Sequence, residues 1–209
     1  MQKFLFVIIV CQIVFTAQSV VLAGKLTVNS GNELNIKNKN FKKAYFAGGC
    51  FWCMEESFDK VDGVIKSISG YSGGDLKDPT YQDIIYKDTG HVETIEIVYD
   101  PKKTSYEYLL DVFWKNIDPF DKFGQFCDKG KSYRSVAFFN NKMQKKRIKE
   151  SIEKIERKFN SKVVTLVWKF DKFYVAEKYH QDYYQKNFLR YLTYKKACQR
   201  EESLNRIWN

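Results

Sequence analysis

The chain has 209 residues, enough for one ordinary domain with extensions. With 44% hydrophobic and 29% charged residues it falls outside the disordered and low-complexity classes, and 17 Phe, 14 Tyr and 4 Trp equip it for a large core or an aromatic-lined site. The net charge of +10 would suit an anionic partner, but Lys and Arg are spread along the chain and concentrate on one helical face, which fits solvation better than nucleic-acid binding.

Residues 1–23 stand apart. Lys3 forms a short basic region, residues 4–14 are almost unbroken hydrocarbon, and Val21-Leu22-Ala23 places small residues before Gly24. This is the layout of a secretory signal peptide, which points to export, to the periplasm, and to an oxidising compartment. An uncleaved membrane anchor is the second reading, because residues 4–23 come close to the ~20 apolar residues a spanning helix needs. Without this segment, +10 less Lys3 leaves +9. Residues 24–40 are polar, rich in Asn and Lys, and read as a linker. The folded domain is therefore expected over 41–195, with a tail over 196–209.

Residues 43–48 read as a strand ending in Gly48-Gly49, and Cys50 follows at the start of a helix over 51–60, with Phe51, Met54 and Phe58 at helical spacing. A thiol there meets unpaired amides and the positive end of the helix dipole, which favours thiolate; the competing reading is a buried structural cysteine. Val61-Asp62-Gly63 ends the helix. A strand over 64–71 closes in Ser72-Gly73-Gly74, and a long connection over 75–90 contains the turn signal Asp78-Pro79-Thr80-Tyr81. In the strand over 91–99, alternation puts His91, Glu93, Ile95, Ile97 and Tyr99 on one face. Burial would keep Glu93 protonated near neutral pH, whereas a place at the strand end would give it to water. The pattern leaves both open.

A helix over 105–115 leads into a loop over 116–131 with Pro119, Gly124, Cys127, Asp128 and Gly130, then a strand over 132–139. The helix over 141–159 is capped by Asn141 and carries Ile148, Ile152, Ile155 and Phe159 as its apolar stripe. Its other face holds Lys142, Lys145, Lys146, Arg147, Lys149 and Lys154 without interleaved aromatics, so no nucleic-acid partner is read from it. After a strand over 163–170 come Glu177, His180 and a tyrosine-rich stretch over 179–194. There is neither an internal repeat nor the regular period of a parallel barrel. The alternation favours an α/β (α+β) two-layer sandwich.

Beyond the leader the cysteines are Cys50, Cys53, Cys127 and Cys198. One C-x-x-C pair and two isolated histidines, His91 and His180, do not supply a structural zinc set, and Met54 stands where c-type haem attachment requires His. Cys50-Phe51-Trp52-Cys53 has thioredoxin-like spacing, so a general thiol–disulfide oxidoreductase using Cys50 and Cys53 is one option.

Gly49-Cys50-Phe51-Trp52 resembles the active-site signature of the peptide methionine sulfoxide reductases of the A class. Similar in the same order are Gly70-Tyr71-Ser72-Gly73-Gly74 with Asp78-Pro79-Thr80-Tyr81, then Thr89-Gly90-His91-Val92-Glu93 running to Tyr99-Asp100-Pro101. Asp128-Lys129-Gly130 with Tyr133-Arg134-Ser135 follows, and Ala176-Glu177 to His180-Gln181 with Lys186-Asn187 closes the match over roughly residues 43–191.

The resemblance implies a ferredoxin-like core with a mixed sheet and a long C-terminal coil. It also implies reduction of methionine sulfoxide, the S epimer, free or in proteins, to methionine. By the same carry-over Cys50 is the nucleophile, Glu93 the proton donor, and Tyr81 and Tyr133 the hydrogen-bond donors to the sulfoxide oxygen. Phe51 and Trp52 seat the methyl group, and Asp128 and His180 help bind substrate. No metal or organic cofactor is implied, only an external thioredoxin-like dithiol protein as reductant, and a monomer is expected. Many members carry a small residue where this chain has Cys53, and a glycine-rich tail bearing the recycling cysteines. Residues 191–208 contain no glycine and one cysteine. Cys198 is the first choice for resolving the oxidised nucleophile, with Cys53 and Cys127 as alternatives.

Overall fold

The computed structural model describes residues 40–209, so the leader and nearly all of the linker lie outside the described residues. Apolar alternation and local caps set the elements. β1 is Lys42–Gly48, α1 Phe51–Asp59, β2 Val64–Ser72, α2 Tyr81–Tyr86, β3 Val92–Tyr99 and α3 Tyr106–Lys115. Two-residue strands β4 (Gly124–Gln125) and β5 (Asp128–Lys129) pair with each other, and β6 (Ser135–Phe139) leads into α4 (Lys142–Phe159). Then come β7 (Leu166–Lys169), β8 (Phe173–Val175), α5 (Tyr183–Lys186), α6 (Phe188–Ala197) and α7 (Arg200–Trp208). Thr80, Ser105 and Asn141 cap α2, α3 and α4 by accepting amide hydrogen bonds at the third helical residue.

The main sheet runs β7-β6-β1-β3-β2-β8. Its middle four strands are antiparallel and, with α1 and α3 as crossovers, form a β-α-β-β-α-β unit, which is the expected ferredoxin-like core. β7 adds parallel to β6 and β8 antiparallel to β2, so the whole sheet is mixed. The larger core lies between the sheet and its helices, around Phe46, Ile95, Ile97, Leu109, Phe113 and Ile148. The opposite face is covered by the chain's own aromatics, with Tyr45 stacked on Phe170 at 3.7 Å. Every residue of β3 is buried, the polar Glu93, Thr94 and Glu96 included, which removes Glu93 from water.

The expected C-terminal coil is instead two helices. Its sequence hides this because α6 and α7 bury very little: Tyr191 and Arg200 are their buried residues, so no apolar stripe marks them. Trp208 closes the chain against the core, donating from Nε1 to the Ile117 carbonyl at 3.0 Å and meeting Phe159 edge-on. Among the described residues no helix is long and apolar enough to cross a membrane.

Phe46 is fully buried and stacks on Phe58, Phe113 and Tyr106. Phe46→Ala is expected to cost about 3–5 kcal/mol in urea unfolding. A loss below about 1 kcal/mol would show that the core is not centred there.

Candidate active site

Gly48 and Gly49 bend β1 into α1. Gly49 has φ +76°, and a Cβ on it would lie 2.5 Å from Gln125 Cβ, so the turn needs glycine on two counts. The turn delivers Cys50 as the residue preceding α1, buried to 4% exposure at the edge of a cavity of about 230 Å³. The same cavity is lined by Phe51, Trp52, Tyr81, Glu93, Asp128, Tyr133 and Tyr194. Seven of the sequence-derived site residues therefore meet at one place.

Glu93 reaches the cavity from the second residue of β3. Its Oε2 accepts the Phe51 amide hydrogen at 3.0 Å. Burial pushes its carboxyl well above the ordinary range, the Phe51 amide opposes this, and Asp128 and Cys53 add to the rise. Burial thus favours its neutral, proton-bearing form. Burial also pushes Tyr81 up to about 12 and raises Tyr133, and the two phenols hydrogen-bond each other, leaving neutral O–H donors beside the thiol. Tyr81 is held by its amide, which donates to Glu177 Oε1 at 2.8 Å, while Tyr71 donates to Glu177 Oε2 at 2.9 Å.

Trp52 lies against Tyr183, ring to ring at 3.8 Å, and donates from Nε1 to His180 Nδ1 at 3.2 Å. His180 is therefore protonated on Nε2 and, with burial holding its pKa down to about 4, neutral. It does not line the cavity. It supports Trp52, Phe51 and Tyr81 from behind, at ring distances of 5.7, 4.9 and 4.5 Å. Glu55 holds the same segment by accepting the Asp182 amide at 3.1 Å. His91 is likewise structural, accepting from the Gly74 amide at Nδ1 and meeting the Leu76 carbonyl at Nε2.

The helix N-terminus does not by itself make Cys50 acidic. Burial, then the hydrogen bond with Cys53, pushes the Cys50 thiol up, whereas the bond from Cys50, then Arg200, draws Cys53 down to about 7 against its own burial. Cys198 is joined to Cys127 by a disulfide, with their Cα atoms 5.0 Å apart; Cys127 is exposed and Cys198 buried. Tyr194, Tyr183 and Arg200 were not singled out by the sequence. The spacing of Tyr191, Tyr194 and Cys198 on one helical face is the signal that would have found the first, had the tail been read as a helix. Tyr194 donates to Asp128 Oδ2, holding that carboxylate at the cavity rim.

A family model described as peptide methionine sulfoxide reductase matches residues 42–209. The chain is 39% identical to peptide methionine sulfoxide reductase MsrA 2 of Caulobacter vibrioides, over 90% of this chain and 96% of that protein. It is 43% identical over 85% of its length to peptide methionine sulfoxide reductase MsrA/MsrB of Vibrio cholerae, of which it spans only 47%. Among solved structures, reduced Mxr1 from Saccharomyces cerevisiae superposes with a TM-score of 0.67 at 30% identity, covering 70% of this chain and 86% of that one.

A carboxyl whose pKa is raised by folding loses stability as pH climbs from its unfolded value toward its folded one, because the unfolded chain ionises first. Glu93→Gln keeps the acceptor for the Phe51 amide and removes that cost. The variant is expected to be more stable than wild type at pH 7–8 by at least about 1 kcal/mol, the difference shrinking toward pH 4. A pH-independent difference in denaturation midpoints would contradict a buried, protonated Glu93.

Proposed function

Because the chain belongs to the peptide methionine sulfoxide reductase family, we propose that the cavity at Cys50 performs the thiol-dependent reduction of methionine sulfoxide, in its S epimer, to methionine. The observation that carries this is the meeting of a thiol, a neutral carboxyl and two phenolic donors against an aromatic wall. A sulfoxide presents an electrophilic sulfur, a basic oxygen and an apolar methyl group, and each has its counterpart there.

The Cys50 sulfur attacks the sulfoxide sulfur while Glu93 gives its proton to the oxygen, with Tyr81 and Tyr133 hydrogen-bonded to that oxygen as it gains charge. Phe51 and Trp52 seat the methyl, and Asp128 receives substrate amides at the rim. Methionine leaves, and the oxygen stays on Cys50 as a sulfenic acid. Cys198 then displaces it as water, forming a Cys50–Cys198 disulfide. Exchange with Cys127 frees Cys50 and leaves the Cys127–Cys198 disulfide. Its exposed sulfur, Cys127, is open to a thioredoxin-like dithiol protein, which supplies the two electrons. The chemistry calls for no metal or organic cofactor, and one copy of the chain contains every group it uses. We place the domain outside the cytoplasm, in the periplasm, or held to the membrane on that side, on the strength of the leader-like residues 1–23.

The second reading, a general thiol–disulfide oxidoreductase, draws on the Cys50–Cys53 spacing. It is the weaker, because both sulfurs are buried, at 4% and 2% exposure, out of reach of a folded protein's disulfide. It predicts insulin reduction that disappears in Cys53→Ser.

With dithiothreitol as electron donor, Cys50→Ser is expected to lower methionine release from a sulfoxide peptide at least about 10³-fold; full activity would sink the assignment. In Cys127→Ser, sulfoxide without reductant should consume two thiols and link Cys50 to Cys198. Peptide mapping that found Cys50 joined to Cys53 would contradict the order of exchange.

A further inference from the structure

Arg200 is buried to 3% exposure beneath the catalytic turn. Its Nη2 donates to the Asn116 carbonyl at 2.6 Å and to the Gly48 carbonyl at 3.2 Å, and lies 3.6 Å from Met54 Sδ. The guanidinium also stands over the Phe126 ring at 4.6 Å. All of these partners are neutral, and among the described residues no carboxylate forms an ion pair with it. The two carboxylates lining the same cavity of about 260 Å³, Glu56 and Glu201, are both held by Lys195, at 2.9 and 2.8 Å. A buried cation without a counter-charge costs several kcal/mol. Asp128 feels the Arg200 charge without pairing to it, and Cys53, which lines the same cavity as Arg200, is the other group there able to become negative.

We infer that Arg200, delivered by the C-terminal helix α7, is the positioning residue that holds the Cys50–Cys53 thiol pair in its singly anionic form. At rest the charge sits on Cys53, which is drawn down to about 7 by its interaction with Cys50 and by Arg200, while the Tyr191 phenol beside it donates to Glu56 Oε2. As the Cys50 sulfur attacks, its proton passes to the Cys53 thiolate, so the nucleophile is charged only when it reacts. No electrons move in this step, and the proton has a defined donor and acceptor.

Other groups face the pair from every side. Glu93 comes from β3, Asp128 from β5, Glu56 from α1 itself, and Tyr194 and Lys195 from α6. Burial favours the neutral form of Glu93, Glu56 is held by Lys195 and Lys60, and burial raises Tyr194 so that it stays neutral. Asp128 and Glu93 oppose negative charge on the pair, and Arg200 faces Asp128 as well. This assignment rests on Cys50 being the nucleophile proposed above, but its test does not use sulfoxide turnover.

The experiment follows iodoacetamide alkylation of Cys50 and Cys53 by mass spectrometry as a function of pH, on the full chain with the Cys127–Cys198 disulfide intact. Wild type should show a midpoint near 7. Arg200→Gln should raise the midpoint by at least about one unit, slowing alkylation at pH 7 about tenfold, and Arg200→Lys should recover part of the shift. A purely structural role would alter stability and leave the midpoint in place. Should Arg200→Gln fail to fold, Cys53→Ser decides: it should raise the Cys50 midpoint by a similar amount. Superposable profiles in the folded variants would overturn the inference. A low midpoint that depends on Arg200, in a protein without sulfoxide turnover, would instead remove the proposed reaction and keep Arg200's role.

Discussion

The Phe51 amide and the Glu93 carboxyl meet at 3.0 Å, and the site is assembled around that one hydrogen bond. It joins the first turn of α1 to the start of β3, segments 42 residues apart, and so fixes the thiol before the helix relative to the acid on the strand. It also answers one of the orphan amides at the helix start with a carboxyl whose burial favours the neutral form. A carboxylate there would be better for the helix dipole and worse for catalysis. Burial decides the contest, because Glu93 is 3% exposed and has an apolar core behind it at Ile95 and Ile97.

Around this bond the protein builds in two shells of different origin. The inner groups come from the ferredoxin-like core, where register is fixed by sheet pairing and full burial of β3. The outer groups come from residues 177–200, which wrap the core after its last strand. Glu177 holds Tyr81, His180 and Tyr183 clamp Trp52, Tyr194 holds Asp128, and Arg200 underlies the turn. A rigid core thus sets where the reacting atoms are, and a later, more loosely buried segment sets their charge and orientation.

That division explains what the sequence could reveal. Cys50, Phe51 and Trp52 were legible because a glycine turn, a nucleophile and a helix start occupy a few consecutive residues, and Glu93 because a polar residue interrupts an apolar strand face. Whether Glu93 was wet or dry was not legible, since that depends on β1 and β2 covering β3 on both sides. The helix start suggested an acidic Cys50 beside the competing reading of a buried cysteine, and burial raises its thiol against that local rule. The cation that matters, Arg200, contacts Gly48 across 152 residues and sits on a helix whose buried face is charged, so neither proximity nor periodicity points to it. The Cys127–Cys198 pairing spans 71 residues and depends on α6 being a helix, which an almost stripe-less sequence conceals.

The same disulfide ties chemistry to lifetime. Closing a 71-residue loop restricts the unfolded chain and adds roughly 4 kcal/mol to stability, about a thousandfold in the folded-to-unfolded ratio. In the proposed cycle this bond is present when the enzyme waits for electrons and absent when it has just received them. Molecules starved of reductant open least often and so resist proteases best, whereas those working fastest are the most vulnerable to digestion. Scarcity of electrons would therefore preserve the enzyme pool until supply returns, with no sensor other than the chain's own tail.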